Sequence, residues 1–302
     1  MARDIHGFVQ PFVIKDGRKF KLDDCDPDEQ RWVKSNRRAK ALLEIGIRRL
    51  GELQEKLYAQ DQWGVLLIFQ ALDAAGKDSA IEHVMSGVNP QGCQVYSFKS
   101  PSSEDLDHDF LWRTTKCLPE RGRIGIFNRS YYEETVVVRV HPEFLHKQKL
   151  PPELVTDDIW RERFHDINAF ERYLARNGYI ILKFFLNLSR KEQKKRFLAR
   201  LDEPDKNWKF GMGDLKERAL WDEYQEAFED TIRQTATKHA PWVVVPADNK
   251  KFARIVVAAA IIDALDELKL AFPKVDAEQK KQLEGARLAL EHEKDGKGRK
   301  KR

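Results

Sequence analysis

The hydrophobic positions of this 302-residue chain change their period along its length. In residues 36–58, apolar side chains recur every three or four positions, which predicts an amphipathic helix. Five short apolar runs follow, separated by segments long enough to form helices. The runs are residues 65–69, 95–98, 124–127, 180–186 and 242–245. This alternation predicts an α/β fold in which a parallel sheet of about five strands is flanked by helices on both faces.

The same pattern predicts how the chain is organised. Residues 1–62 form an irregular arm and the amphipathic helix, which we expect to pack on a core of residues 63–270. Within that core, residues 188–225 are highly charged, helix-like and interrupted by a turn with proline and glycines, as a mobile flap would be. We call residues 188–225 the lid segment. Residues 271–302 are polar and are predicted to be a peripheral basic tail.

Charge and cysteine content narrow the classes of protein. The net charge is +5, and the last nine residues carry six basic groups and one acid, so the tail accounts for the excess. A solvated tail is the simpler interpretation, and recruitment of a polyanion is the alternative. Specific nucleic-acid binding is not expected. The three cysteines, Cys25, Cys93 and Cys117, suggest neither a disulfide framework nor a zinc cluster. With no signal peptide or membrane-spanning run, a soluble cytoplasmic protein is predicted.

The first apolar run leads into a sequence typical of a phosphate-binding loop. Four residues separate Ala71 from Gly76 and Lys77, and a helical pattern follows. In such a loop the backbone N–H groups and the helix N-terminus bind phosphate, while the lysine adds a full charge. A structural turn is the alternative. The predicted phosphate-binding residues of the loop are Ala74, Ala75, Gly76, Lys77, Asp78 and Ser79.

Two residues of this loop depart from the usual pattern. Ala71 stands where glycine is usual, which is acceptable if its φ is negative. Asp78 stands where a Ser or Thr hydroxyl usually binds Mg²⁺, so another residue must hold the metal. Asp73, within the loop, is the candidate, binding Mg²⁺ directly or through water. The alternative is an aspartate that only caps the loop.

A second polar cluster follows the third apolar run. Asn128 can bind a metal directly or through water, and the fork of N–H donors on Arg129 suits a phosphate oxygen. A surface arginine is the alternative. Arg113, in the polar segment after the second run, is a further candidate for phosphate binding. In the lid segment, Arg196 and Arg200 share one helical face, and these two, with Lys209, are predicted to close on a highly charged substrate. A solvated helix surface is the alternative there.

Taken together and in this order, the motifs resemble the polyphosphate kinase 2 family. The matching stretches are "ALDAAGKDSAIEHVMSGVNPQG", "HDFLWR", "IFNRSYYE", "ILKFFLNLSRKEQKKRF" and "WKFGMGDL". The likeness covers roughly residues 10–270. An Asp after Gly-Lys is typical of this family, which indicates that the loop is adapted to its substrate.

The resemblance implies a P-loop kinase core with a helical lid that moves phosphoryl groups between inorganic polyphosphate and nucleotides. It assigns catalytic roles to Asp73, Lys77, Arg129 and Arg196, and nucleotide binding to Asn89 and Glu133. Asn128, in place of the Asp that many relatives have, is closer to the class III branch. That branch uses both AMP and ADP.

The implied cofactor is Mg²⁺, with Mn²⁺ as a substitute. The implied substrates are inorganic polyphosphate with AMP and ADP/ATP, and also GMP and GDP/GTP. The transfer is expected to be direct, in line and reversible, and the assembly a homo-oligomer, either a dimer or a tetramer. Two alternatives remain: a P-loop nucleotide kinase that uses ATP as donor, and a non-catalytic polyanion-binding protein.

Overall fold

A six-stranded sheet forms the centre of the protein in a computed structural model that describes residues 2–30, 33 and 35–293. Its order is β1-β6-β5-β2-β4-β3, and every neighbouring pair is parallel except β1 with β6. The strands are β1 (Val13–Ile14), β2 (Gly64–Gln70), β3 (Cys93–Ser97), β4 (Ile124–Asn128), β5 (Tyr179–Asn187) and β6 (Trp242–Pro246). The predicted α/β fold with a parallel sheet flanked by helices is confirmed.

The strand that the pattern did not predict is β1. It has two residues, which pair antiparallel with β6 as Val13 with Val243 and Ile14 with Trp242. Two residues are too few to show an alternating period, so β1 could not be predicted from the hydrophobic pattern. The five predicted runs correspond to β2 to β6, and all seven residues of β2 are buried, as expected for a strand covered on both faces.

Helices cover the sheet on both sides. They are α1 (Ala2–Val9), α2 (Asn36–Gln60), α3 (Lys77–Val84), α4 (Ser103–Leu106), α5 (Trp112–Thr115), α6 (Glu133–Val140), α7 (Ile159–Arg176), α8 (Arg190–Asp202), α9 (Met212–Ala219), α10 (Trp221–Thr235), α11 (Lys250–Glu267) and α12 (Ala277–Glu291). Helices α1, α2, α3 and α11 enclose one hydrophobic cluster, and α6, α7 and α10 enclose a second on the other face.

The predicted lid segment contains helices α8 and α9, joined by a turn, and the first residues of α10. Helix α8 begins after Ser189, whose hydroxyl accepts a hydrogen bond from the N–H of Glu192, as an N-cap does. It ends before a 3₁₀ turn at Pro204–Lys209, and α9 follows at Met212. The proline cannot continue the α-helical hydrogen bonds, which explains the break at this position.

The parallel register brings the ends of two strands together. Phe69 of β2 pairs with Asn128 of β4, and the N–H of Arg129 donates to the carbonyl of Phe69 at 3.0 Å. The loop after β2 and the residues after β4 therefore lie side by side at the carboxyl edge of the sheet. Ligands of open α/β sheets bind at this edge.

The carboxyl-terminal part of the chain forms a separate unit. The first compact unit ends at Leu270, and the second, from Ala271, contains α12, whose side chains are exposed along its whole length. The predicted basic excess, in residues 294–302, lies outside the described residues. No helix in the described ranges combines the length and the apolar character needed to cross a membrane.

Candidate active site

The phosphate loop connects β2 to α3 through residues with left-handed backbone. Gly76 precedes α3 with a φ of 98°, and Ala74 has a φ of 63°. No side chain caps α3, so the first N–H groups of the helix, from Lys77 onward, are left for another acceptor. Ala71 is not among the described residues with positive φ, which meets the condition for alanine at that position.

Lys77 is buried at the start of α3. Its ammonium donates to the carbonyl of Ala71 at 2.8 Å. Burial, followed by the nearby charge of Arg129, lowers the pKa of Lys77 to about 8, and Asp73 acts in the opposite direction. A lysine desolvated in this way is stabilised in its charged form when an anion binds beside it.

Arg129 joins the loop to the start of α6. Its guanidinium donates to the carboxylate of Asp73 at 3.1 Å and to that of Glu133 at 3.0 Å. The adjacent Glu133 is the main cause of the raised pKa of Arg129. A φ of 66° at Arg129 is uncommon for a residue other than glycine, and such backbone strain often occurs at functional sites. Asp73 and Arg129, each predicted as a site residue, therefore lie in direct contact.

Oxygen donors that suit a metal line the cleft beside the loop. The side-chain amide of Asn128 donates to the carboxylate of Asp78, and both residues line the same cleft as Asp73. Mg²⁺ is commonly bound by one or two carboxylates, several waters and substrate phosphates. Two carboxylates and an amide oxygen beside a phosphate-binding loop are a donor set that fits this ion.

Arg196 contacts the protein with its whole guanidinium. It is buried, and Nη1 donates to the carbonyls of Ala74 and Ala75 at 3.0 and 2.9 Å. Nη2 donates to the carbonyls of Ala247 and Asp248 at 2.7 and 2.9 Å, and Nε donates to Glu192. The structure therefore places Arg196 on the loop carbonyls. Contact of Arg196 with a substrate remains a prediction.

The other lid cations and Ser79 also make protein contacts at the cleft. Nη1 of Arg200 donates to the carbonyl of Lys209 at 3.2 Å, and the ammonium of Lys209 lies 5.0 Å from the centre of the Trp208 ring. The hydroxyl of Ser79 accepts a hydrogen bond from Arg254 at 2.6 Å. Arg254 was not predicted from the sequence, because it lies 175 positions away from its partner.

The phosphate loop, the strand end at Asn128 and the lid cations line a cleft of about 660 Å³ that is rich in positive charge. Three acidic side chains line it, those of Asp73, Asp78 and Glu82. Eight basic side chains line it, namely Lys77, Lys99, Arg129, Arg196, Arg200, Lys206, Lys209 and Lys250. Sequence reasoning missed Lys99 and Lys250 as site residues. Their positions just after β3 and β6, at the same edge of the sheet, are the signal that could have found them.

A second cavity of about 250 Å³ adjoins the cleft, and Arg129 lines both. Its wall includes Arg113 and Glu133, with apolar side chains from Phe110, Val137, Val138 and Phe144. Arg113 donates to the carbonyl of Lys99 at 2.7 Å. The structure therefore brings Arg113 and Glu133 to this smaller cavity rather than to the walls of the large cleft.

Asn89 is the one predicted residue that the structure does not bring to either cavity. Its exposed side chain accepts a hydrogen bond from the N–H of Gln91, in the turn before the amino end of β3. The phosphate loop follows the carboxyl end of β2, and β2, β4 and β3 run parallel. Asn89 is therefore at the opposite edge of the sheet, and this geometry does not support a contact with a nucleotide in the cleft.

Comparisons with known proteins agree with these features. The family model described as "Polyphosphate kinase 2 (PPK2)" matches residues 33–273. The "ADP-polyphosphate phosphotransferase" of Rhodopseudomonas palustris is 49% identical over 91% of this chain and 96% of its own length. The "AMP/ADP-polyphosphate phosphotransferase" of Meiothermus ruber is 43% identical over 90% of this chain and 97% of its own length.

A solved structure shares the fold. The crystal structure of polyphosphate kinase 2 from Arthrobacter aurescens TC1 matches with a TM-score of 0.82 and 40% sequence identity, covering 90% of this chain and 95% of that one. The family match, at residues 33–273, spans the phosphate loop, the strand end at Asn128 and the lid segment. The chain therefore belongs to the polyphosphate kinase 2 family.

Proposed function

We propose that this protein transfers phosphoryl groups from inorganic polyphosphate to AMP and to ADP. The observation that carries the proposal is the large cleft, which the phosphate loop lines and whose wall holds eight basic and three acidic side chains, those of the loop included. An excess of cations around one loop suits a long polyanion better than a small neutral acceptor. The names of the two relatives above, which refer to ADP and to AMP with ADP, support the choice of acceptors.

The two cavities suit the two substrates. The apolar wall of the smaller cavity, with Phe110 and Phe144, fits a nucleoside, and the charged cleft fits the polyphosphate chain. Arg129 lines both cavities, so it lies where the acceptor phosphate and the donor phosphate meet. The carboxylates of Asp73 and Glu133, to which Arg129 donates, hold its guanidinium between the two cavities.

The transfer is a direct in-line displacement. An oxygen of the acceptor phosphate forms a bond to the terminal phosphorus of polyphosphate, and the bond from that phosphorus to the bridging oxygen breaks. The shortened chain leaves with the electron pair. The acceptor phosphate oxygen is itself a nucleophile, so direct transfer needs no covalent enzyme intermediate.

The protein must offset the repulsion between two phosphate groups. Two unit charges about 4 Å apart repel by about 4 kcal/mol at an intermediate dielectric constant, and phosphates carry more than one charge. Lys77 and Arg129 reduce this repulsion and stabilise the charge that spreads over the transferred group. Mg²⁺ is proposed as the cofactor: Asp73 and Asn128 would hold it, directly or through water, with the Asp78 carboxylate beside Asn128, and the ion would supply further neutralisation of the phosphates.

Product analysis tests this proposal. Purified protein with polyphosphate and AMP or ADP, without ATP, is expected to form ADP and ATP, measured by chromatography. Lys77→Ala and Asp73→Asn are each expected to lower kcat by about 10² to 10³-fold, since each removes a group placed for the transition state. Arg172→Ala, on the exposed face of α7, serves as the control.

Two results would contradict it. Near-normal turnover in Lys77→Ala or Asp73→Asn would show that the substituted residue does not have its proposed catalytic role. Transfer that occurs only with ATP as donor indicates an ordinary nucleotide kinase instead. Guanine-nucleotide acceptors, a cytoplasmic location and a homo-oligomeric assembly remain predictions from the sequence.

A further inference from the structure

Three consecutive carbonyls of the phosphate loop are held by side chains of one helix in the lid segment. The amide of Gln193 on α8 donates to the carbonyl of Asp73 at 3.0 Å. Three residues further along α8, Arg196 donates to the carbonyls of Ala74 and Ala75. Positions i and i+3 lie on the same face of a helix, so one face of α8 fixes the loop backbone.

The far end of the Gln193 side chain is also held. Its amide oxygen accepts a hydrogen bond at 2.7 Å from Nη1 of Arg218 on α9, and the same nitrogen donates to the carbonyl of Arg190 at 3.0 Å. A guanidinium can only donate and a carbonyl can only accept, so the amide has one orientation that satisfies both partners. Gln193 is buried, and loss of a partner would leave an unpaired polar group.

These contacts determine where the loop N–H groups point. In a trans peptide, the carbonyl of one residue and the N–H of the next lie in one plane and point in opposite directions. Fixing the carbonyls of Asp73 and Ala75 toward α8 therefore directs the N–H groups of Ala74 and Gly76 away from α8. The side chain of Asp73 is at the same time paired with Arg129.

We infer that Gln193 is a positioning residue for the phosphate loop and that Arg218 acts through it. The contact of α9 with α8 through Arg218 therefore helps to determine the orientation of the loop N–H groups and of Asp73. This inference rests on the proposed function, because phosphoryl transfer is the reaction that the positioned loop serves. Neither residue is needed to touch a substrate.

Kinetics and hydrogen exchange of matched variants test the inference. Gln193→Leu is expected to lower kcat by about 10- to 100-fold, as small misplacements of catalytic groups do, with the KM for ADP within about twofold of wild type. Gln193→Glu keeps an acceptor for Arg218 but cannot donate to the Asp73 carbonyl, so a similar loss of kcat is expected. Leu198→Gln, on the exposed side of α8, is the control.

The Arg218 variants test whether the two residues act as a unit. Arg218→Met is expected to lower kcat, Arg218→Lys to recover part of it, and the double variant Gln193→Leu/Arg218→Met to be no slower than Gln193→Leu alone. Arg218 is only half-buried, so its variants test the coupling even if Gln193→Leu does not fold. Losses that multiply in the double variant would overturn the coupling.

Hydrogen exchange separates this inference from the proposed function. The amides of residues 74–77 are expected to exchange faster in Gln193→Leu and unchanged in Leu198→Gln, whether or not the protein uses polyphosphate. Wild-type kcat in Gln193→Glu, or unchanged exchange in Gln193→Leu, would overturn the positioning role. Failure of the wild type to use polyphosphate, with faster exchange in Gln193→Leu, would refute only the proposed function.

Discussion

Lys77 shows at the level of one residue how burial prepares a group for a polyanion. Its ammonium is enclosed and held on the carbonyl of Ala71, and burial lowers its pKa to about 8. Below that pH it is charged in the free protein, and above it the neutral amine predominates. A bound phosphate favours the charged form, so binding above pH 8 must be accompanied by uptake of a proton.

A pH series of binding measurements tests this property of Lys77. The affinity for polyphosphate is expected to be nearly constant below pH 8 and then to fall with rising pH, approaching tenfold per pH unit. Calorimetric titration in buffers of different ionisation enthalpy measures both the affinity and the proton uptake. Lys77→Arg is the control, because a guanidinium stays charged over this range and the slope should disappear.

If the affinity of the wild type for polyphosphate stays constant up to about pH 9.5, the assignment of the pH dependence to Lys77 is contradicted. The same is true of an equal slope in Lys77→Arg, which would indicate that another group titrates.

Motifs identified the residues of the loop more reliably than the residues around it. Asp73, Lys77 and Arg129 lie in stretches whose spacing already specifies a phosphate loop beside a strand end. Asn89 follows the same motif in sequence, but sequence proximity does not say at which edge of the sheet a residue lies. Gln193 was missed because an uncharged side chain gives no electrostatic signal, although it is three residues from Arg196 on the same face.

A buried ionic network connects several elements behind the site. Lys183 of β5 donates to Glu171 of α7 at 2.7 Å and to the carbonyl of Thr235 at the end of α10 at 2.8 Å. The hydroxyls of Tyr131 and Tyr132, just before α6, donate to the other oxygen of Glu171. Lys183 and Glu171 are fully buried. Tyr131 and Tyr132 lie two and three residues after Arg129 in the chain. This network therefore anchors the backbone that carries Arg129.

Removal of either Lys183 or Glu171 alone is expected to destabilise the folded protein. Glu171→Gln or Lys183→Met is expected to lower the free energy of unfolding by about 3–5 kcal/mol. The first variant leaves the buried ammonium of Lys183 without its carboxylate, and the second leaves the buried carboxylate of Glu171 without its ammonium. The double variant Glu171→Gln/Lys183→Met is expected to recover part of that loss. Urea denaturation of these proteins measures the effect, with Glu162→Gln on the exposed face of α7 as control.

A loss below about 1 kcal/mol in both single variants would show that the network does not anchor these elements. Additive losses in the double variant would show that the two charges do not act as a pair.

Elements were predictable where a long pattern specified them. Helix α2 was expected at residues 36–58 and is observed at Asn36–Gln60, since its apolar period extends over many turns. The two residues of β1 gave no such pattern and form a strand only because β6 offers an edge to pair with. The ionic network at Lys183 could not be predicted either, because a lysine inside an apolar run does not indicate which distant carboxylate pairs with it.

The whole molecule joins two cavities of different character at the carboxyl edge of one sheet. The cationic cleft lies over the phosphate loop, the smaller cavity has apolar walls, and Arg129 belongs to both. The α/β architecture and the family could be inferred from sequence because several motifs occur in one order. The separation into two cavities could not, since it depends on how residues 99–148 pack around Arg129.

The central claim is that the phosphate loop binds the condensed-phosphate chain next to the nucleotide. A crystal structure with a short polyphosphate oligomer and a non-reactive AMP analogue tests it most directly. Phosphates are expected within hydrogen-bond distance of the N–H groups of residues 74–78 and of the Lys77 ammonium, with the nucleoside in the smaller cavity. An oligomer bound elsewhere, with the loop closed by its own side chains, would contradict it.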